Sequence, residues 1–96
     1  MKYAWIIDVS HIDFENSKDF TPITGPSDIT PEQEAHLIFA TGQKFKMYDD
    51  DGELYYSGRI IGNYSGFEPL DDFGTPNAGC TEIKLLNSKT NKWETL

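Results

Sequence analysis

The segment KFKMYDDDGELYYSGRIIG, residues 44–62, constrains the fold more than any other part of the chain. Two runs of β-forming residues flank Asp51-Gly52, a dipeptide that tolerates the positive φ angles of a tight turn. Side chains alternate between the two faces of a strand, so Phe45 and Met47 share one face. The other face of that strand carries Lys44, Lys46 and Tyr48. The segment therefore predicts an antiparallel hairpin with an acidic turn.

Two further stretches indicate strands. CTEIKLLNSKTNKWETL, residues 80–96, predicts a second hairpin with NSKTN as its turn and Trp93 in the last strand. KYAWIIDV, residues 2–9, has the β-branched and aromatic content of an N-terminal strand. Residues 10–29 contain many turn formers and no sustained period, so we expect an irregular segment there.

One helix is indicated between the N-terminal strand and the first hairpin. Thr30 suits the N-cap, Pro31 suits the first helical position, and Gln33 has the spacing of a capping box. Gly42 is a suitable C-terminal stop. Most of the linkers between the predicted strands are too short to join parallel neighbours. The sequence thus predicts an α+β fold: one domain over residues 1–96, with a mostly antiparallel sheet of four to five strands and one short helix.

Charge is the most unusual bulk property of the chain. Sixteen Asp and Glu against eight Lys and Arg give a net charge of −8. Half of the acids lie between Asp49 and Glu82, where Arg59 is the only base. Phosphate neutralisation needs clustered Lys and Arg, so we expect no direct nucleic-acid binding and a basic protein partner instead. The alternative is that the charge serves solubility alone.

The cysteine content and the N-terminus bear on location. Cys80 is the only cysteine, so no disulfide can form within the chain, and a reducing compartment is the simplest interpretation. The first apolar run, residues 4–7, is too short for a signal-peptide core or a membrane span. We expect a soluble, cytoplasmic protein that does not bind membranes.

Metal and cofactor sites are not favoured by the pattern of residues. Aligning Gly52 with the invariant glycine of an EF-hand puts Met47 and Gly58 where the first and last calcium ligands belong. Zinc would need several Cys or His ligands, and Cys80, His11 and His36 have no paired spacing. No glycine-rich phosphate loop is present. We therefore expect no metal, no cofactor and no catalytic residues.

The main catalytic alternative is a small hydrolase. It would use Asp71 or Asp72 together with His11 or His36, and it requires these groups to converge in one pocket. Cys80 follows Gly79 at the start of a predicted strand, where a buried and unreactive thiol is the usual case. The sequence favours a protein that is not an enzyme.

FEPLDDFGTPNAGC, residues 67–80, is dense in turn formers. Glu68 and Thr75 precede prolines, which disfavours helical backbone at both. We therefore expect a compact ordered loop, with an interior formed by Phe67, Leu70 and Phe73. Ordered loops of this length often carry recognition, so a binding surface is the second interpretation.

These stretches also carry a resemblance. An early Trp5, Gly25-Pro26, an acidic Asp-Gly hairpin, the run PLDDFGTPNAGC and a terminal Trp93-Glu94 are together similar to a group of small uncharacterised bacterial and phage proteins. The similarity covers most of the chain from residue 43 onward and is thinner before it. It implies a bacterial or phage origin and implies no activity.

The leading hypothesis is a small acidic binding protein, of the kind that phages and mobile elements use to inhibit host defence, anti-CRISPR proteins among them. It would occupy a basic, nucleic-acid-binding surface of a partner protein. The alternative is a small regulatory module that binds a peptide or small ligand through residues 67–80. The expected partner-binding residues are Asp49, Asp50, Asp51, Glu53, Glu68, Asp71, Asp72 and Phe73.

Overall fold

The computed structural model describes residues 3–11, 22–26, 29–32, 35 and 42–96. Within these residues, six strands form one antiparallel sheet in the order β2-β1-β4-β3-β5-β6. The strands are β1 (Ala4–Ser10), β2 (Ile23–Gly25), β3 (Gln43–Tyr48), β4 (Leu54–Ile61), β5 (Glu82–Asn87) and β6 (Lys92–Thr95). The predicted α+β class is confirmed, and the predicted four to five strands was one too few.

Both predicted hairpins are present. β3 pairs with β4 across the turn that contains Gly52, whose φ of 81° is the positive value that favours glycine. β5 pairs with β6, and Asn87 Oδ1 accepts hydrogen bonds from the amides of Lys89 and Thr90 in the turn between them. The missed strand is β2, which has three residues and lies among prolines and a glycine that favour irregular structure.

The helix predicted from Thr30 begins as expected, because Pro31, Glu32 and Ala35 are helical. Residues 33–34 and 36–41 of that predicted helix, including His36, lie outside the described residues, as do residues 12–21 and 27–28 of the predicted irregular segment. None of the helices within the described ranges is both long and apolar enough to cross a membrane.

The expected loop at residues 67–80 is instead mainly helical, which corrects the sequence prediction. Residues 68–78, called here the covering helix, contain a π-helical turn (Leu70–Gly74) and an α-helical turn (Thr75–Ala78). Thr75 has φ −68° and ψ −51°, so the following proline does not force it into an extended conformation. The preference against helical backbone before proline is a bias that other contacts can outweigh.

Local contacts explain why this segment is helical. The Glu68 carboxylate accepts the backbone N–H groups of Ser65 and Gly66, each at 2.8 Å. Gly66 has a φ of 120°, so Ser65 and Gly66 form a turn before the helix, and the Glu68 side chain holds that turn against the first residue of the helix. At the other end Gly79 takes a left-handed conformation, and its N–H donates to the Thr75 carbonyl at 3.1 Å.

The core lies between the covering helix and one face of the sheet, called here the inner face. Its buried members include Trp5, Ile7, Phe45, Met47, Tyr56, Ile60, Leu70, Cys80, Ile83 and Leu85. The opposite, outer face has a smaller apolar cluster in which Ala4 and Ile6 pack against Ile29 and Ile61. The predicted alternation in β3 is confirmed, because Phe45 and Met47 are fully buried whereas Lys44, Lys46 and Tyr48 are not.

Candidate protein-binding surface

The turn between β3 and β4 carries the densest group of acids and is called here the acidic turn, residues 49–53. Asp49 shapes it, because its Oδ1 accepts the amides of Asp51 at 3.0 Å and Glu53 at 2.8 Å. Its backbone N–H also donates to the Glu53 carbonyl. Asp50, Asp51 and Glu53 are exposed. One aspartate therefore folds the turn, and the other acids are left facing solvent.

Asp49, Asp50 and Asp51 each place a carboxylate oxygen within 4.8 Å of the others. Oxygen ligands at such spacing suit a hard cation such as Ca²⁺. However, the Oδ1 of Asp49 already accepts two amides, and exposed groups of this kind are common on surfaces that hold no ion. The cluster is therefore described as an acidic surface.

A cavity of about 600 Å³ lies beside the acidic turn. Its walls contain four carboxylates and, among the residues that the structure describes, no lysine or arginine. The acids are Asp49, Asp50, Asp51 and Glu82. Phe67 and Leu96 also line the cavity, and these side chains are 43% and 44% exposed. The structure thus combines an acidic rim with exposed apolar groups.

Two tyrosines near this end of the sheet reflect the local negative charge. The pKa of Tyr55 is raised, first by its hydrogen bond to the Asp49 carboxylate and also by the charges of Asp49 and Glu53. The pKa of Tyr48 is raised by burial and then by the Glu82 charge. Both shifts have the direction that a negative field causes, since the field disfavours a phenolate.

The remaining predicted site residues lie in the covering helix and not in the acidic turn. Asp72 Oδ2 accepts the Tyr3 hydroxyl at 2.6 Å and Trp5 Nε1–H at 3.0 Å, so it ties the helix to the start of β1. Asp71 is exposed. Glu68 holds the turn before the helix through its bonds from the Ser65 and Gly66 amides. The predicted residues therefore lie at two separate places.

Phe73 was predicted as an apolar contact for a partner. In the structure it is half-buried, and its ring centroid lies 5.8 Å from that of Trp5 and 5.0 Å from that of Tyr56. Much of the ring therefore packs against the core. The exposed aromatic ring near the acids is that of Phe67, which was predicted to lie in the interior of the loop. No local sequence signal distinguishes these two phenylalanines, because the difference arises from how the helix lies on the sheet.

His36, one group of the hydrolase alternative, lies outside the described residues, and among those that the structure describes His11 and Asp72 do not converge. His11 Nε2 lies 2.8 Å from the Ser57 hydroxyl, and Ser57 pairs with Lys46 on the outer face. Asp72 belongs to the covering helix on the inner face, so the sheet lies between it and His11. Cys80 is fully buried, and burial is the main cause that raises the pKa of its thiol to about 11. Such a thiol is a poor nucleophile near neutral pH.

Comparison of the chain with protein-family models, with curated proteins and with solved structures gave no match. The resemblance to small bacterial and phage proteins therefore stays a prediction.

Proposed function

We propose that this chain is a non-enzymatic protein-binding domain whose acidic turn contacts a basic surface on another protein. The observation that carries the proposal is the cavity beside the turn, which combines four carboxylates with the exposed side chains of Phe67 and Leu96. Interfaces commonly surround an apolar centre with a polar rim. The cavity has both parts.

The contacts would follow from the chemistry of these groups. Asp50, Asp51 and Glu82 would pair with Lys or Arg of the partner, and Glu53 would add charge at the edge of the contact. Phe67 would pack against apolar surface and exclude water from these pairs. Attraction between exposed charges speeds association and weakens as salt is added.

We further propose that the partner is a nucleic-acid-binding protein. Closely spaced carboxylates can occupy Lys and Arg side chains that otherwise contact phosphates. A chain of this kind would inhibit the partner by competition with DNA or RNA, as expected of an anti-defence protein from a phage or mobile element. Asp71, which is exposed on the covering helix, would extend the contact only if the partner reaches beyond the turn.

The test is a pull-down from a bacterial lysate at low salt and at about 0.5 M salt, where exposed charges are strongly screened. The variant D50N/D51N removes two exposed charges and keeps Asp49, which folds the turn. The matched control E32Q/E94Q removes two charges from residues outside the acidic cavity. We expect a captured protein that is lost at high salt and in D50N/D51N, and is kept in the control.

A second step tests the kind of partner. Increasing amounts of the chain should displace a labelled oligonucleotide from the captured protein, and D50N/D51N should displace it much less. Equal loss of capture in both double variants would mean that net charge acts without a specific surface. Capture that does not change with salt or in D50N/D51N would contradict the proposal and favour binding through residues 67–80.

A further inference from the structure

The outer face of the sheet has a second cavity, of about 400 Å³, on the far side from the covering helix. It lies across β1, β4, β3 and β6, with the backbone of Gly58 in its wall. Its lining includes the side chains of Asp8, Lys44, Lys46, Ser57, Arg59 and Trp93. Cavities that bind small molecules typically measure roughly 300–1,000 Å³. The size suits one small ligand.

The strand register gathers cations on this face. Lys44 lies directly opposite Arg59, and Lys46 lies directly opposite Lys84. Residues paired in this way point to the same face, and like charges placed so close oppose folding. Half of the eight basic residues of a strongly acidic chain thus share one face. An anion bound between them would offset the repulsion.

One carboxylate partly neutralises the cavity. Asp8 Oδ2 lies 3.1 Å from Arg59 Nε, and it is the only acid among the described residues that line the cavity. Lys44 and Lys46 line it as well, which leaves a net positive charge in the wall. This is the reverse of the acidic cavity, whose described lining has no base. The two cavities therefore suit ligands of opposite charge.

An aromatic ring completes the cavity. Trp93 lies on the edge strand β6, is 36% exposed, and has the Lys46 Nζ 4.4 Å from its ring centroid. An anion held by Lys46 would therefore lie beside a flat apolar surface. Exposed aromatic side chains next to cations on a sheet are the arrangement on which bases stack.

A hydroxyl lines the same cavity, and an imidazole lies within hydrogen-bonding distance of that hydroxyl. Ser57 lines it, and its Oγ is 2.8 Å from His11 Nε2. The pKa of His11 is lowered, mainly by burial and secondly by the Lys46 charge. A neutral imidazole and a hydroxyl can donate or accept hydrogen bonds without adding charge. They suit the sugar or base of a ligand better than its anionic group.

We propose that this outer-face cavity binds a mononucleotide, with its phosphate on Lys44 and Lys46 and its base against Trp93. A longer nucleic acid fits less well, because the acidic turn joins β3 to β4 at one end of these strands. A polyanion that followed these strands would meet three aspartates. A single nucleotide can remain within the basic part of the face.

The experiment is an NMR titration of the uniformly ¹⁵N-labelled full chain with adenosine 5′-monophosphate, up to about 5 mM. The chain has two tryptophans, and their indole N–H signals report on opposite faces. Trp93 lines the cavity, whereas Trp5 Nε1–H is bonded to Asp72 on the inner face. The variant W93F assigns the two signals. We expect the Trp93 signal to move with saturation and the Trp5 signal to stay.

Variants and fragments of the ligand test each part of the site. K46Q should weaken binding about tenfold, the size expected for one lost charge-assisted contact. K92Q is the matched control, because Lys92 precedes Trp93 on β6 and pairs with Asn87 on the inner side of the sheet. It should change affinity less than about twofold, since exposed distant charges are screened. Adenosine alone and inorganic phosphate alone should each bind more weakly than the nucleotide.

Several results would overturn the proposal. One is the absence of any saturable shift of Trp93, and another is an equal shift of both indole signals. If inorganic phosphate bound as tightly as the nucleotide, the Trp93 ring would contribute nothing to binding. Equal weakening by K46Q and K92Q would show attraction without a site. If a ten-nucleotide oligothymidylate bound more tightly than the mononucleotide, the ligand would be a single-stranded nucleic acid instead.

Discussion

Glu68 offers the sharpest test of the covering helix. Its carboxylate accepts two backbone N–H groups at 2.8 Å and the Ser65 hydroxyl at 3.3 Å. E68Q keeps the size of the side chain but can accept only one of the two amides well. Hydrogen bonds to charged groups typically contribute roughly 1.5–3 kcal/mol each, and less where water reaches them. Because Glu68 is partly exposed, we expect a loss of about 1–2 kcal/mol in the free energy of unfolding.

The pH dependence gives this prediction a second readout. Burial alone would raise the pKa of Glu68, but the hydrogen bonds from Ser65 and Gly66 outweigh it, so the pKa is lowered. A carboxyl group with a lowered folded pKa stabilises the fold above its unfolded pKa. That contribution disappears as the pH falls through the folded pKa. The stability difference between wild type and E68Q should therefore be full at pH 7 and shrink below about pH 4.5.

Denaturant unfolding at pH 7 and at pH 3.5 measures both parts. For a domain of this size the expected loss corresponds to about 5–15 °C in Tm. E53Q is the matched control, because Glu53 is exposed at the acidic turn and its removal relieves repulsion. It should leave stability unchanged or slightly higher. An E68Q protein as stable as wild type at pH 7, or equally destabilised at both pH values, would refute the role assigned to the Glu68 hydrogen bonds.

Three further predictions concern other parts of the fold. D72A should lose roughly 1 kcal/mol of stability, because the Tyr3 hydroxyl and the Trp5 indole lose their acceptor, whereas D72N should retain most of it; denaturant unfolding of both variants distinguishes them. G58A should lose about 1–3 kcal/mol, because its Cβ would meet a carbonyl oxygen of β1 and the Phe45 ring; a Tm within about 2 °C of wild type would contradict this. Cys80 should react with a thiol reagent only after denaturant is added, since it is buried with a pKa of about 11; a fast reaction in buffer would show the packing to be wrong.

The parts of the fold that local sequence determines could be predicted. Asp51-Gly52 fixed the first hairpin, and the strand alternation around it placed Phe45 and Met47 in the core. The covering helix was missed because its prolines and glycines are typical of loops. Pro69 lies in the first turn of the covering helix and Pro76 in the first turn of its α-helical part, which are positions where helices tolerate proline.

The candidate sites depend on contacts that no local pattern contains. Asp72 and Trp5 are 67 residues apart, so their hydrogen bond follows only from the way the helix lies on the sheet. The cationic face is the part of the outer face that carries Lys44, Lys46, Arg59 and Lys84. It needs the pairing of β3 with β5, which joins the two hairpins and brings Lys46 opposite Lys84. The sequence of each hairpin predicts which of its residues share a face. It does not predict which strand of one hairpin pairs with which strand of the other.

The separation of charge also makes the two proposals independent of each other. The acidic turn and the cationic face are built on the same two strands, β3 and β4, but their cavities share no described lining residue. D50N/D51N should therefore abolish capture of a basic partner and leave the nucleotide-induced shift of Trp93 intact. K46Q should weaken the binding of the nucleotide and leave capture of the basic partner intact. If either variant impaired both activities, the two surfaces would act as one site, and the argument from opposite charge would fail for both.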